Sequence, residues 1–188
     1  MTHIAPTMPA LRTGDVIACW GRDPVSLLIS GMTASPLPPW RFAWSPSHVA
    51  MILENDHGPA WFESTLMVEG KAGAQWHNPG VRWEAYGGRC LVLRPTMALD
   101  LDQREQMAAE LNRFVAARVE YDLGGAILSG TRFLRWLVPA SNSRLFCSEM
   151  VARVLQVGQL MNWGSPAGYN PGRLCRELVK SGAFEVLR

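Results

Sequence analysis

The sequence predicts an α+β domain, with a small antiparallel sheet from the first half of the chain packed on helices from the second. Three observations point there. Short apolar runs bounded by turn residues fill residues 14–95, HVAMILE and AWFESTLMV being the clearest. Apolar residues at helical spacing fill 99–119 and 146–157. The chain has 188 residues, 48% of them hydrophobic, which suits one core and is short for two ordinary domains. Residues 1–188 are therefore read as one domain.

Taken in order, residues 1–11 carry no pattern and read as a flexible arm. GDVIACW, 14–20, reads as a strand. PVSLLISG, 24–31, reads as a short helix, with Pro24 suited to its first turn and Gly31 to its stop. Residues 32–46 hold four prolines, Trp40 and Trp44, and read as an ordered loop or lid. His48 opens the strand HVAMILE. NDHG turns the chain, and AWFESTLMV returns as the second arm of a hairpin.

Residues 69–80 are Gly-rich and polar and read as loop. GVRWEAY and RCLVLRP read as one or two further strands, ended by Pro95. The segment 99–119 is the clearest helix, acidic early and basic late. YDLGG breaks it, and 126–138 reads as a second helical or loop-helix segment. FCSEMVARVLQV, 146–157, gives a third helix. GRLCRELVKSG gives a short one, and FEVL a last strand.

Composition excludes several classes. Eighteen Lys and Arg face 16 Asp and Glu, so no basic field calls for nucleic acid. The N-terminus lacks a basic region followed by an apolar run, and no segment is long enough for a membrane span. The expectation is a soluble cytoplasmic protein with reduced thiols. Cys19, Cys90, Cys147 and Cys175 are dispersed, with no CxxC, which argues against a zinc site or a disulfide scaffold. Walker A, GxSxG and HExxH patterns are absent, and no metal or cofactor is expected. Trp40, Trp44, Trp61, Trp76 and Trp83 crowd one stretch. They read either as core packing and loop anchors or as a groove for an apolar ligand.

Cys147 stands where a loop enters a helix. There the uncompensated backbone N–H groups and the helix dipole favour a thiolate. Of four histidines, His48 alone opens a buried strand that can hold a ring rigidly. Glu63 lies inside the next strand and wants a buried partner, and a hairpin brings it next to or diagonal to His48. Each has a plain alternative: a small core hydrophobe, a satisfied structural histidine, an edge-strand charge. Cys19, Cys90 and Cys175 read as structural.

GDVI at 14–17, SHVAMI at 47–52, FES at 62–64, YD at 121–122 and FCSEMVARVL at 146–155 resemble the circularly permuted NlpC/P60-like cysteine hydrolases. This is the papain-like branch that includes the YiiX/YaeF-like proteins and, more distantly, the lecithin retinol acyltransferase relatives. The histidine precedes the cysteine here, which is the permuted order. The resemblance covers roughly residues 12–188. It implies a small antiparallel sheet or partial barrel packed on helices. It implies Cys147 as nucleophile, His48 as base, Glu63 orienting the base, and Tyr121, with Asp122 beside it, lining the site. The implied activity is thiol attack on an amide, ester or thioester, with a peptide or an acyl or lipid substrate. A non-catalytic binding module and a phage or structural accessory protein on the same fold are the rival readings.

Overall fold

The strand β2 (His48–Asn55) is apolar on both faces because both faces are covered. Val49, Met51 and Leu53 face the main core, while Ala50 and Ile52 face a second, smaller cluster. That double burial is why its sequence is a continuous apolar run and not an alternation. The computed structural model describes residues 8–37, 39–55, 58–68, 71–86, 89–117, 120–121 and 144–187. The expected helical segment 126–138, Asp122 and the first seven residues of the arm lie outside them.

Around β2 the chain builds an α+β fold. β1 (Val16–Trp20) leads to helix α1 (Pro24–Thr33) and a short 3-10 turn at Trp40–Phe42. After β2 come β3 (Gly58–Val68), β4 (Lys71–His77), helix α2 (Pro79–Ala85) and β5 (Arg89–Pro95). Helix α3 (Leu101–Ala116) follows, then two-residue strands β6 (Glu120–Tyr121) and β7 (Arg144–Leu145). Helix α4 (Cys147–Val157), a 3-10 turn at Pro166–Gly168, helix α5 (Pro171–Lys180) and β8 (Phe184–Val186) end the chain. Six strands form one antiparallel sheet in the order β4-β3-β2-β1-β5-β8. One face packs on α3, α4 and α5 through Met107, Leu111, Phe114, Met150, Leu155 and Leu178. The other face carries Ile17, Cys19, Trp61, Cys90 and Val92, covered in part by Leu11, Trp83 and Tyr86.

Three expectations are corrected. Residues 69–80, expected as loop, contain the edge strand β4, paired along β3 from Trp61 opposite His77 to Val68 opposite Lys71. Polar, Gly-containing sequence is compatible with an edge strand, where one side of the ladder has no partner to satisfy. GVRWEAY, expected as a strand, is helix α2. Asn78 caps it by accepting from the Val81 N–H, and Pro79 takes the first turn, so the cap outweighs the strand preference of Val81 and Trp83. Helix α1 runs past Gly31 to Thr33, whose hydroxyl donates to the Ile29 carbonyl.

The 32–46 stretch therefore begins as helix and continues as a pinned loop. Trp20 Nε1 donates to the Trp44 carbonyl at 2.9 Å, and Ser45 Oγ donates to the Thr33 carbonyl at 2.6 Å. The buried guanidinium of Arg176 donates to the Phe42 carbonyl at 3.1 Å. The five tryptophans do not line one groove. Trp76 packs edge-on against Phe62 on the main core and Trp83 covers the opposite face of the sheet. Trp61 is buried, while Trp40 and Trp44 are 68% and 52% exposed. Among the described residues no helix is long and apolar enough to cross a membrane.

Candidate active site

Glu63 projects from β3 on the same face as Trp61, two residues earlier, as strand periodicity requires. β2 and β3 pair with Met51 opposite Phe62, and one further step of that register sets Glu63 beside Ala50. His48 is then its diagonal neighbour, within side-chain reach. His48 Nε2 lies 2.9 Å from Glu63 Oε2.

The carboxylate is fully buried and is compensated from several sides. Trp61 Nε1 donates to Oε2 at 2.9 Å, and Arg82 Nε donates to Oε1 at 2.6 Å. His77 Nε2 lies 3.5 Å from Oε1. Burial would raise the Glu63 pKa, but the hydrogen bond and charge of His48, and then those of Arg82, hold it down at about 2. The Tyr86 ring stacks on the His48 ring with centroids 5.9 Å apart, and the Arg82 guanidinium sits 5.2 Å from the Tyr86 centroid. Burial pushes the Tyr86 hydroxyl pKa up, so the ring meets His48 in its neutral form.

Cys147 is the first residue of α4. Side-chain oxygens of Asp23, Asn78, Asp100 and Asn170 cap α1, α2, α3 and α5, but α4 has no side-chain cap. Phe146 occupies the cap position and packs in the core. The first turn of α4 thus has no side-chain acceptor at the cap competing for its free amides. Ser148 Oγ fixes that turn from behind, donating to the Tyr169 carbonyl at 2.7 Å.

The Cys147 thiol lies near enough to the His48 ring for its charge and hydrogen bonding to shift the ring's titration. With Nε2 committed to Glu63, Nδ1 is the nitrogen left for the sulfur. Burial on its own would lower the His48 pKa. The charge and hydrogen bond of Cys147, followed by those of Glu63, override it and raise the value to about 10. Cys147 is 2% exposed and His48 7% exposed, so the pair is largely shielded from water.

The structure thus brings Cys147, His48 and Glu63 together, in that order of contact. Tyr121 is placed by its backbone: β6 pairs in parallel with β7, and Tyr121 lies opposite Leu145, two residues before Cys147. Cys175 is buried in the main core, and burial pushes its thiol pKa up. Sequence reasoning missed Trp61, Arg82 and Tyr86. The signal for Trp61 was its i−2 spacing from Glu63 on a strand. The signal for Arg82 and Tyr86 was the Asn78–Pro79 helix start, which brings Arg82 to the carboxylate and Tyr86 onto the His48 ring. Chemically, an imidazole between a thiol and a carboxylate can take the thiol's proton while the carboxylate fixes the ring's tautomer.

No protein-family model matches the chain. No curated protein compared with it matches. Among solved structures, the chain is similar to the crystal structure of the metalloprotein YiiX from Escherichia coli O157:H7. The TM-score is 0.61 at 20% sequence identity, covering 94% of this chain and 96% of that one. A likeness of this extent at this identity shows that the two chains share a fold along nearly their whole lengths.

Proposed function

We propose that the protein is a cysteine-dependent hydrolase or acyltransferase on a circularly permuted papain-like fold. It would act on an amide, ester or thioester carbonyl through an acyl-enzyme at Cys147. The observation that carries the reading is the 2.9 Å contact of the His48 ring with the buried Glu63 carboxylate, with the Cys147 thiol near enough to raise the ring's pKa. His48 takes the thiol proton, the sulfur adds to the carbonyl carbon, and the imidazolium returns the proton to the leaving group. Water or an acceptor then releases the acyl group with His48 again as base. The uncapped first turn of α4 supports a role for backbone N–H groups in holding the oxyanion. Tyr121 is proposed to line the same site.

An acyl-bearing substrate is favoured over a purely polar peptide. Val25, Leu27, Leu28, Leu37, Trp40 and Trp44 all expose apolar surface within twenty residues that lead directly into His48. No Asp or Glu occurs from residue 24 to residue 53. Exposed apolar side chains of this kind suit a substrate that carries an apolar chain.

YiiX is described as a metalloprotein, so the fit of a metal to this chain bears on the reading. Among the described residues no group of three or more His, Cys, Asp and Glu side chains could hold a metal ion. Glu63, the natural centre of such a set, already accepts from Trp61 and Arg82 and bonds His48.

The test is acylation by p-nitrophenyl esters of short and long fatty acids, by acyl amides and by muropeptides, followed by intact mass. An adduct of the acyl mass that maps to Cys147 and disappears in Cys147→Ala supports the proposal. Turnover that survives Cys147→Ala overturns it.

A further inference from the structure

β1 and β5 pair so that Cys19 lies directly opposite Cys90, and their Sγ atoms are 3.5 Å apart. Residues directly opposite in an antiparallel pair have Cα atoms about 4.5 or 5.5 Å apart. Both separations lie inside the window a disulfide needs, about 4.4–6.8 Å. The two sulfurs can therefore be joined by side-chain rotation, with the strands left in register. All four cysteines carry free thiols.

The two sites differ in access. Cys19 is fully buried, whereas Cys90 is 9% exposed at the rim of the second cluster. A small oxidant can reach Cys90 while Cys19 waits behind it. The chemistry agrees with this order. The hydrogen bond with Cys19 and the charges of His48 and Arg82 lower the Cys90 thiol pKa, while burial raises that of Cys19. Cys147 and Cys175 belong to the main core on the other face.

We propose that Cys19 and Cys90 form a redox modification site that closes to a disulfide when the protein meets a peroxide. The Cys90 thiolate attacks a peroxide oxygen, the O–O bond breaks, and one water leaves once the hydroxide is protonated. Cys90 is then a sulfenic acid. The Cys19 sulfur attacks the Cys90 sulfur, the S–O bond breaks, and the Cys19 proton leaves with the hydroxide as a second water. Two electrons pass from the sulfur pair to the peroxide, and a dithiol returns them on reduction. The step uses neither the Cys147 sulfur nor an acyl group, although Cys19 lies directly opposite His48 across β1 and β2.

The experiment treats the full-length protein, reduced and freed of reductant, with a few equivalents of hydrogen peroxide. Non-reducing peptide mapping reads the products. The expected result is a linked Cys19–Cys90 peptide pair, an intact mass lower by two hydrogens, and reversal by dithiothreitol. The same pair is expected in Cys147→Ala, where the competing thiol is gone. Accumulation of Cys90 sulfinic acid without the crosslink overturns the proposal. So does a crosslink that uses Cys147 or Cys175 in place of the pair, or an unmodified pair after Cys147 has been oxidised.

Discussion

His48 Nε2 and Glu63 Oε2 meet at 2.9 Å inside the sheet, on adjacent strands, with the carboxylate sealed from water. A contact of this kind has a large cost when one partner is removed, because the other keeps its charge in a dry place. It also fixes which ring nitrogen faces Cys147. Both consequences can be measured.

Glu63→Gln removes the charge and keeps the shape. Turnover is expected to fall at least tenfold, and stability by on the order of 3 kcal/mol, because Arg82 and the His48 ring lose their shared anion. Denaturant unfolding and acyl-ester kinetics on the same preparation check this. Lost stability with an unchanged rate would make Glu63 purely structural.

The acid limb of stability follows from the same group. The folded-state pKa of Glu63 is held down at about 2, below its ordinary 4.5. Its contribution is therefore complete above 4.5 and is lost as pH falls through 2. Arg82→Met removes the donor at 2.6 Å, so the acid loss is expected to be smaller and to end at a higher pH than in the parent protein. Melting temperatures recorded from pH 6 to pH 2 check the direction.

The alkaline limb belongs to His48. Its folded-state value is raised from 6.5 to about 10, chiefly against burial by Cys147 and then Glu63. The stability it adds is fully present below 6.5 and is lost as pH rises toward 10. Cys147→Ala removes the leading favourable cause, so the loss is expected to be smaller and to end at a lower pH. Urea unfolding at pH 6, 8 and 10 in both proteins reads it.

Trp40 and Trp44 are exposed and lie in the loop that precedes His48. Replacing both with Ala is expected to lower kcat/KM several-fold for long-chain acyl esters and to leave acetyl esters unchanged. Equal losses for short and long chains would separate the patch from substrate choice.

The strand that opens at His48 and the helix that opens at Cys147 were legible in the sequence because their signals are local. One is an apolar run closed by a turn, and the other a periodic helix after a loop. The diagonal approach of Glu63 to His48 was legible through the hairpin, whose short turn fixes the register. The surroundings of Glu63 were not. Arg82 reaches it only because residues 79–85 are helical, and the strand preference of Val81 and Trp83 hid the Asn78 cap. Strand β4 was missed because an edge strand needs only one ladder and tolerates polar sequence. The Cys19–Cys90 contact depends on β1 pairing with β5, seventy-one residues away, which no local pattern encodes.

The central claim is that His48 is the base that activates Cys147, and alkylation rates test it most directly. At pH 6 a thiol of ordinary pKa, about 8.5, is only about 0.3% thiolate. The rate of Cys147 modification by iodoacetamide at pH 6, followed by peptide mapping, is compared between the parent protein and His48→Ala. The account requires a drop of at least tenfold at Cys147 in the variant. Equal rates at Cys147 in the two proteins would contradict it.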